Sequence, residues 1–166
     1  MKIVSIHDKN NYPSFKTFDC GIRELNEFLF RFANQNDEKG IGKTFLAIDG
    51  DEVVGYFTLA TAEVTFDLIP DELLSSLPKY PIPVIRIARL AVGKTHQHNG
   101  VGKFLLKEAL LKILFASQSV GIYAIIVDAK ESSVEFYKKF GFIPLKNNEK
   151  TLFIVLETIK RALLIK

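Results

Sequence analysis

At 166 residues and 18.7 kDa the chain has the size of one domain, and 48% hydrophobic residues supply a full core. No uninterrupted apolar run approaches the ~20 residues of a membrane span, and the first residues lack the charged-then-apolar order of a secretory signal, so a cytoplasmic location without membrane contact is expected. Net charge is only +3, yet residues 1–85 carry 8 Lys+Arg against 13 Asp+Glu while residues 86–166 carry 14 against 6, a basic half that suits a phosphate-bearing partner. The lone cysteine, Cys20, excludes an internal disulfide and has no motif-positioned histidine to activate it, so it reads as a packing residue. His7, His96 and His98 lack a ligand spacing, and no metal site is expected.

In chain order, a short strand spans Lys2 to Ile6. Ile22, Leu25, Phe28, Leu29, Phe32 and Ala33 then recur at helical spacing, with Asp19 as a plausible cap and the polar run from Asn34 to Gly40 as the stop. Gly40-Ile-Gly42-Lys43-Thr44 imitates the end of a nucleotide-binding P-loop, but that motif needs a glycine where Asp37 stands, which excludes an NTPase. Strands Lys43–Ile48 and Val53–Ala62 flank Asp49-Gly50-Asp51, which is hairpin-turn chemistry. A short helix from Asp71 to Leu77, set among Pro70, Pro78, Pro81 and Pro83, reads as a surface excursion.

Beyond it lie a strand from Ile85 to Val92, a turn from His96 to Gly100 and a helix to about Ser117. That helix is apolar nearly all round, so it calls for burial on several sides, by a sheet on one and a second subunit on another. A strand Ile122–Val127, a helix Glu131–Phe140, a strand near Phe142–Leu145 and a last strand Leu152–Glu157 follow. The pattern is a single α/β (α+β) domain, a mixed sheet with helices on both faces.

The strand, turn and helix from Ile85 to Lys107 carry the chemistry. A helix that opens after a tight turn presents unpaired amides and the positive end of its dipole, and Gly100 and Gly102 remove the side chains that would keep a phosphate away. A diphosphate-bearing ligand follows. Arg89-Leu-Ala-Val92 with Gln97-x-x-Gly100-x-Gly102 resembles the acetyl-CoA pyrophosphate loop of GNAT superfamily acetyltransferases, and Glu131-Ser-Ser-Val-Glu-Phe-Tyr-Lys-Lys-Phe-Gly-Phe142 resembles their second cofactor-side helix. Phe18-Asp-Cys-Gly-Ile-Arg-Glu-Leu-Asn-Glu-Phe-Leu29, with Lys43-Thr-Phe-Leu-Ala-Ile48, is similar to the amino-terminal half of the GNAT toxins of bacterial toxin–antitoxin pairs.

The resemblance implies the GNAT fold, with a central, mostly antiparallel mixed sheet. It also implies acetyl transfer from acetyl-CoA to the α-amino group of aminoacyl-tRNA, which blocks translation, under restraint by a ribbon-helix-helix antitoxin; the second subunit that the apolar helix calls for would make a homodimer. It assigns the backbone of Leu90, Ala91 and Val92 to the oxyanion and pantetheine, and the stretch Gln97, His98, Asn99, Gly100, Val101, Gly102 and Lys103 to the diphosphate, with Phe136 beside the cofactor. Tyr137 becomes the proton donor to the departing thiolate, since a phenol of reference pKa about 10 is protonated at neutral pH.

No residue is nominated as base, and an α-amine of reference pKa near 8 needs none; Glu63 and Asp67 are the acids nearest to that role. Lys130 stands where many superfamily members carry an Asn that contacts the pantetheine arm. For transfer RNA the candidates are Arg86 and Arg89, on opposite faces of an unbroken strand, with Lys39, Lys43, Lys138 and Lys139 behind them. Two alternatives stand beside the toxin: an ordinary GNAT enzyme acting on a small amine or a protein terminus, and a non-catalytic acyl-CoA-binding module.

Overall fold

The computed structural model describes residues 1–164. Seven strands form one mixed sheet in the order Lys2–Ser5, Lys43–Asp49, Glu52–Val64, Ile82–Val92, Ala124–Asp128, Asn148–Val155 and Ile143–Leu145, and the chain falls into two compact units. One comprises Met1–Ala60 with Ala88–Lys112, the other Thr61–Ile87 with Ile113–Lys166.

In the first unit, β1 (Lys2–Ser5), β2 (Lys43–Asp49) and the start of β3 (Glu52–Val64) make an antiparallel meander, with Lys2 opposite Ile48 and Leu46 opposite Tyr56. The predicted amino-terminal helix is α1 (Arg23–Glu27), a π turn over Phe28–Phe32, and α2 (Ala33–Glu38). It runs through the polar stretch expected to end it. Asp37 explains this: its buried carboxylate accepts the amide of Thr44 (3.2 Å) and the Lys43 ammonium (3.4 Å), and its carbonyl accepts the same ammonium (2.9 Å), so the buried charge has partners. The helix packs Leu25, Phe28, Leu29 and Ala33 with Ile6, Leu46, Ile48, Val53 and Tyr56. The Tyr56 hydroxyl donates to the carbonyl of Leu25 (2.7 Å) and pins α1 to β3.

In the second unit the first part of β4 (Ile82–Val92) runs parallel to β5 (Ala124–Asp128), from Val84 opposite Ala124 to Ile87 opposite Val127. A parallel pair needs a crossover, and α4 (Val101–Ala116) supplies it. β4 starts earlier than predicted. Pro83 is tolerated there because a proline near a strand start forfeits only a donor, and its carbonyl still accepts the amide of Tyr123 (2.9 Å). The surface helix, α3, is only Asp71–Leu74.

β7 (Asn148–Val155) pairs antiparallel with both β5 and β6 (Ile143–Leu145), and α5 (Val134–Lys139) precedes β6. Val64, Ile69, Ile82, Val84, Ala124, Ile126, Leu145 and Phe153 form this unit's core. The expected last strand ends at Val155, and Leu156–Leu164 is a helix, α6, that buries Leu156 and Ile159. Strand and helix share one apolar run, which hid the boundary.

Helix α4 buries Val101, Leu105, Leu106, Ala109 and Ile113, a single stripe near the four-residue spacing, whereas Leu111 and Phe115 are exposed. Among the described residues the helix is therefore not covered on several sides.

Candidate functional site

The loop after β4 is built by local backbone constraints. The Gly93 amide donates to the Val54 carbonyl (2.8 Å), Lys94–His96 make a 3₁₀ turn, and His98 and Gly100 take positive φ (64° and 84°) before α4 begins. At Gly100 that conformation favours glycine, and a Cβ there would meet open space, so the room before the helix is free of protein. The first amides of α4, Val101 to Lys103, have no carbonyl four residues back inside the helix, and the dipole is positive there. This loop fits a diphosphate.

Beneath it, Gly55 lets β4 close in: a Cβ would lie 2.8 Å from the Ala91 carbonyl oxygen and 2.8 Å from Leu105. Of the residues assigned to the cofactor, His98, Asn99, Gly100 and Lys103 are exposed, Leu90, Val92 and Gly102 half-buried, and Ala91 and Val101 buried, so the last two offer only backbone. The Gln97 side chain is already occupied, its amide donating to the carbonyls of Cys20 and Val92 (3.0 Å each). His96 is paired with Glu52 (3.2 Å). The β4–β5 ladder ends at Ile87, and Leu90 to Val92 take no part in it.

The two arginines have different fates. Arg86 is ion-paired with Asp128, a carboxylate that also accepts the Thr151 hydroxyl (3.3 Å). Arg89 lies over the Phe28 ring, 3.5 Å from its centroid, without a carboxylate partner among the described residues, and burial lowers its pKa. It is a half-buried, stacked cation, not the solvent-facing strand-end charge that a lone strand arginine would be. Sequence reasoning missed Phe28 in this role because only tertiary contact joins the two. Lys43 is held by Asp37 and Lys138 pairs with Glu135 (3.8 Å), while Lys39 and Lys139 are exposed.

Tyr137 is 3% exposed, its ring edge-on to Phe136 (centroids 5.1 Å apart) and to Phe142 (5.7 Å). No sealed-in side-chain oxygen or nitrogen among the described residues lacks a hydrogen-bond partner. The Tyr137 hydroxyl makes no hydrogen bond to another described residue. Burial of the ring pushes its pKa up, which keeps the proton in place. Phe136 is half-buried; Lys130, Glu63 and Asp67 are exposed. No group of three or more His, Cys, Asp or Glu side chains among the described residues is placed to hold a metal.

The strand-to-helix turn leaves backbone amides open to an anion, and Tyr137 is a phenol that burial keeps protonated. The family described as acetyltransferase (GNAT) domain matches residues 40–144. A tRNA-acetylating toxin of Mycobacterium tuberculosis (strain ATCC 25618 / H37Rv) is 32% identical over 127 residues, 76% of each chain. Among solved structures, AtaT complexed with acetyl-methionyl-tRNAfMet is 29% identical with a TM-score of 0.87, covering 98% of both chains. A tyrosine-to-phenylalanine mutant of AtaT, bound to the C-terminus of the antitoxin AtaR and acetyl-CoA, is 28% identical with a TM-score of 0.81, covering 98% of this chain and 97% of that one. With its loop, its fold and most of its length matched in this way, the chain belongs to the GNAT acetyltransferase family.

Proposed function

We propose that the chain transfers the acetyl group of acetyl-CoA to the α-amino group of an amino acid esterified to transfer RNA, and is the toxin of a toxin–antitoxin pair. The observation that carries this reading is the likeness to AtaT complexed with acetyl-methionyl-tRNAfMet over 98% of both chains; the tRNA-acetylating relative points to the same acceptor. The amides from Gln97 to Lys103 take the diphosphate, Leu90 to Val92 offer backbone to the pantetheine and the oxyanion, and Phe136 packs beside the cofactor. Tyr137 donates its proton to the departing thiolate. Arg89 meets transfer-RNA phosphate, with Arg86 secondary because Asp128 already neutralises it.

No carboxylate is needed as base, since the neutral form of an α-amine is accessible near pH 8. The exposed Leu111 and Phe115 of α4 support a homodimer. The AtaT structure with the AtaR C-terminus supports restraint by an antitoxin, for which we assign the ribbon-helix-helix class. A cytoplasmic location suits this role, and no helix among the described residues is long and apolar enough to cross a membrane.

Addition of the purified protein to a bacterial cell-free translation mixture tests the reading. Arrest that requires acetyl-CoA and is absent with Tyr137→Phe is expected. Undisturbed translation with an otherwise active acetyltransferase would favour the ordinary GNAT enzyme.

A further inference from the structure

The turn from Asp19 to Gly21 precedes α1 in sequence, but it does not cap that helix: the N-cap is Ile22, without a side-chain bond. Its polar atoms go to the segment that leads into α4. The Asp19 carbonyl accepts the Lys94 amide (2.8 Å), and its carboxylate pairs with the Lys94 ammonium (3.1 Å). The Cys20 carbonyl accepts the Gln97 side chain (3.0 Å), which also reaches back to Val92. Both ends of Lys94–Gln97 are thus fastened to one turn.

That turn is held in its own right by Asn26 of α1. The Asn26 carbonyl oxygen accepts the Cys20 amide (2.9 Å), and its amide group donates to the Asp19 carboxylate (2.9 Å), which also accepts the Gly21 amide (2.8 Å). Bonds from Asn26 and Gly21, and the Lys94 ammonium, hold the Asp19 carboxyl down to about 2, so it remains ionised under ordinary assay conditions.

We propose that Asn26, acting through the Asp19–Gly21 turn, is a positioning residue for the diphosphate loop, an inference that rests on the acetyl-CoA reading of that loop. The segment needs such support, because His98 and Gly100 break regular backbone conformation just before the helix. A loop fixed beforehand spends no ligand binding energy on ordering itself. Loss of the clasp therefore weakens acetyl-CoA binding without slowing the chemistry of the saturated enzyme, which is the signature of lost ground-state and transition-state binding in equal measure.

Calorimetric acetyl-CoA binding and steady-state acetyl transfer, measured on the full chain, test this for Asn26→Ala, Asn26→Asp and Gly102→Asp. Asn26→Ala, folded by circular dichroism, is expected to bind acetyl-CoA roughly 10-fold more weakly, the effect of one or two net hydrogen bonds. The KM for acetyl-CoA rises by the same factor while kcat at saturation stays within about 2-fold, and the amides of residues 94–103 exchange faster. Asn26→Asp keeps the acceptor for Cys20 but turns a carboxylate toward Asp19; it carries the same expectation if the alanine variant does not fold. A folded Asn26 variant with parental affinity overturns the positioning role alone. Binding that is absent in the parent, or that survives Gly102→Asp, overturns the loop assignment itself and the positioning role with it.

Discussion

Tyr137 is buried among Phe136 and Phe142, and its raised pKa decides which way it can act. A phenol whose neutral form is favoured by burial donates a proton across the whole range in which the protein is assayed and does not serve as a base. Tyr137→Phe is therefore expected to lower kcat by about 10² to 10⁴ while acetyl-CoA affinity by calorimetry is unchanged. Because the folded pKa is shifted upward, Tyr137 adds no falling alkaline limb; the rate rises with pH as the acceptor amine, of reference pKa about 8, loses its proton. A rate that declines between pH 8 and 9 would speak against this assignment. The Phe136-Tyr137 pair made the residue legible in sequence. Arg89 was only half legible: its charge and place on β4 were plain, but the Phe28 ring beneath it comes from α1's side of the fold, and no local spacing encodes that contact.

Elements bracketed by turn residues had their extents read correctly, as with β2, β3 and α4, although α4 buries one stripe and not the several sides expected. Those that depend on a buried polar contact or share an apolar run with a neighbour were not: α2 persists through polar sequence because Asp37 finds partners on β2, and α6 begins inside the run that forms β7. Two substitutions separate loop chemistry from loop support. Gly102→Asp puts a carboxylate in the first turn of α4, where the dipole favours it by roughly 0.3–1 kcal/mol, so thermal unfolding should show an intact or stabilised fold while acetyl-CoA binding is lost. Gly55→Ala does the reverse, forcing a methyl into contact with the Ala91 carbonyl and Leu105. An overpacking cost of about 1–3 kcal/mol is expected, seen as a lower denaturation midpoint. Equal stability of Gly55→Ala and the parent would show that β3 does not meet β4 and α4 this tightly.

For the whole molecule, the uneven charge along the chain and an Arg89 with no carboxylate partner among the described residues support the proposal that the acceptor is recognised electrostatically. Transfer-RNA affinity should fall steeply with salt, by a slope near −0.7 in log–log terms for each phosphate neutralised on single-stranded contacts. Arg89→Met keeps an unbranched side chain over Phe28 and removes only the charge, so it should flatten that slope by about one contact, whereas Arg86→Met should change it little. Fluorescence anisotropy with labelled transfer RNA across salt distinguishes the two; a larger effect at Arg86 would reverse their order. The central claim, acetyl transfer to the α-amine of charged transfer RNA, is tested most directly by incubating the protein with labelled acetyl-CoA and a mixture of charged and deacylated transfer RNA. Label is expected on the amino acid of charged transfer RNA alone, abolished by Tyr137→Phe; label on free amines or protein termini, with charged transfer RNA untouched, would contradict this acceptor.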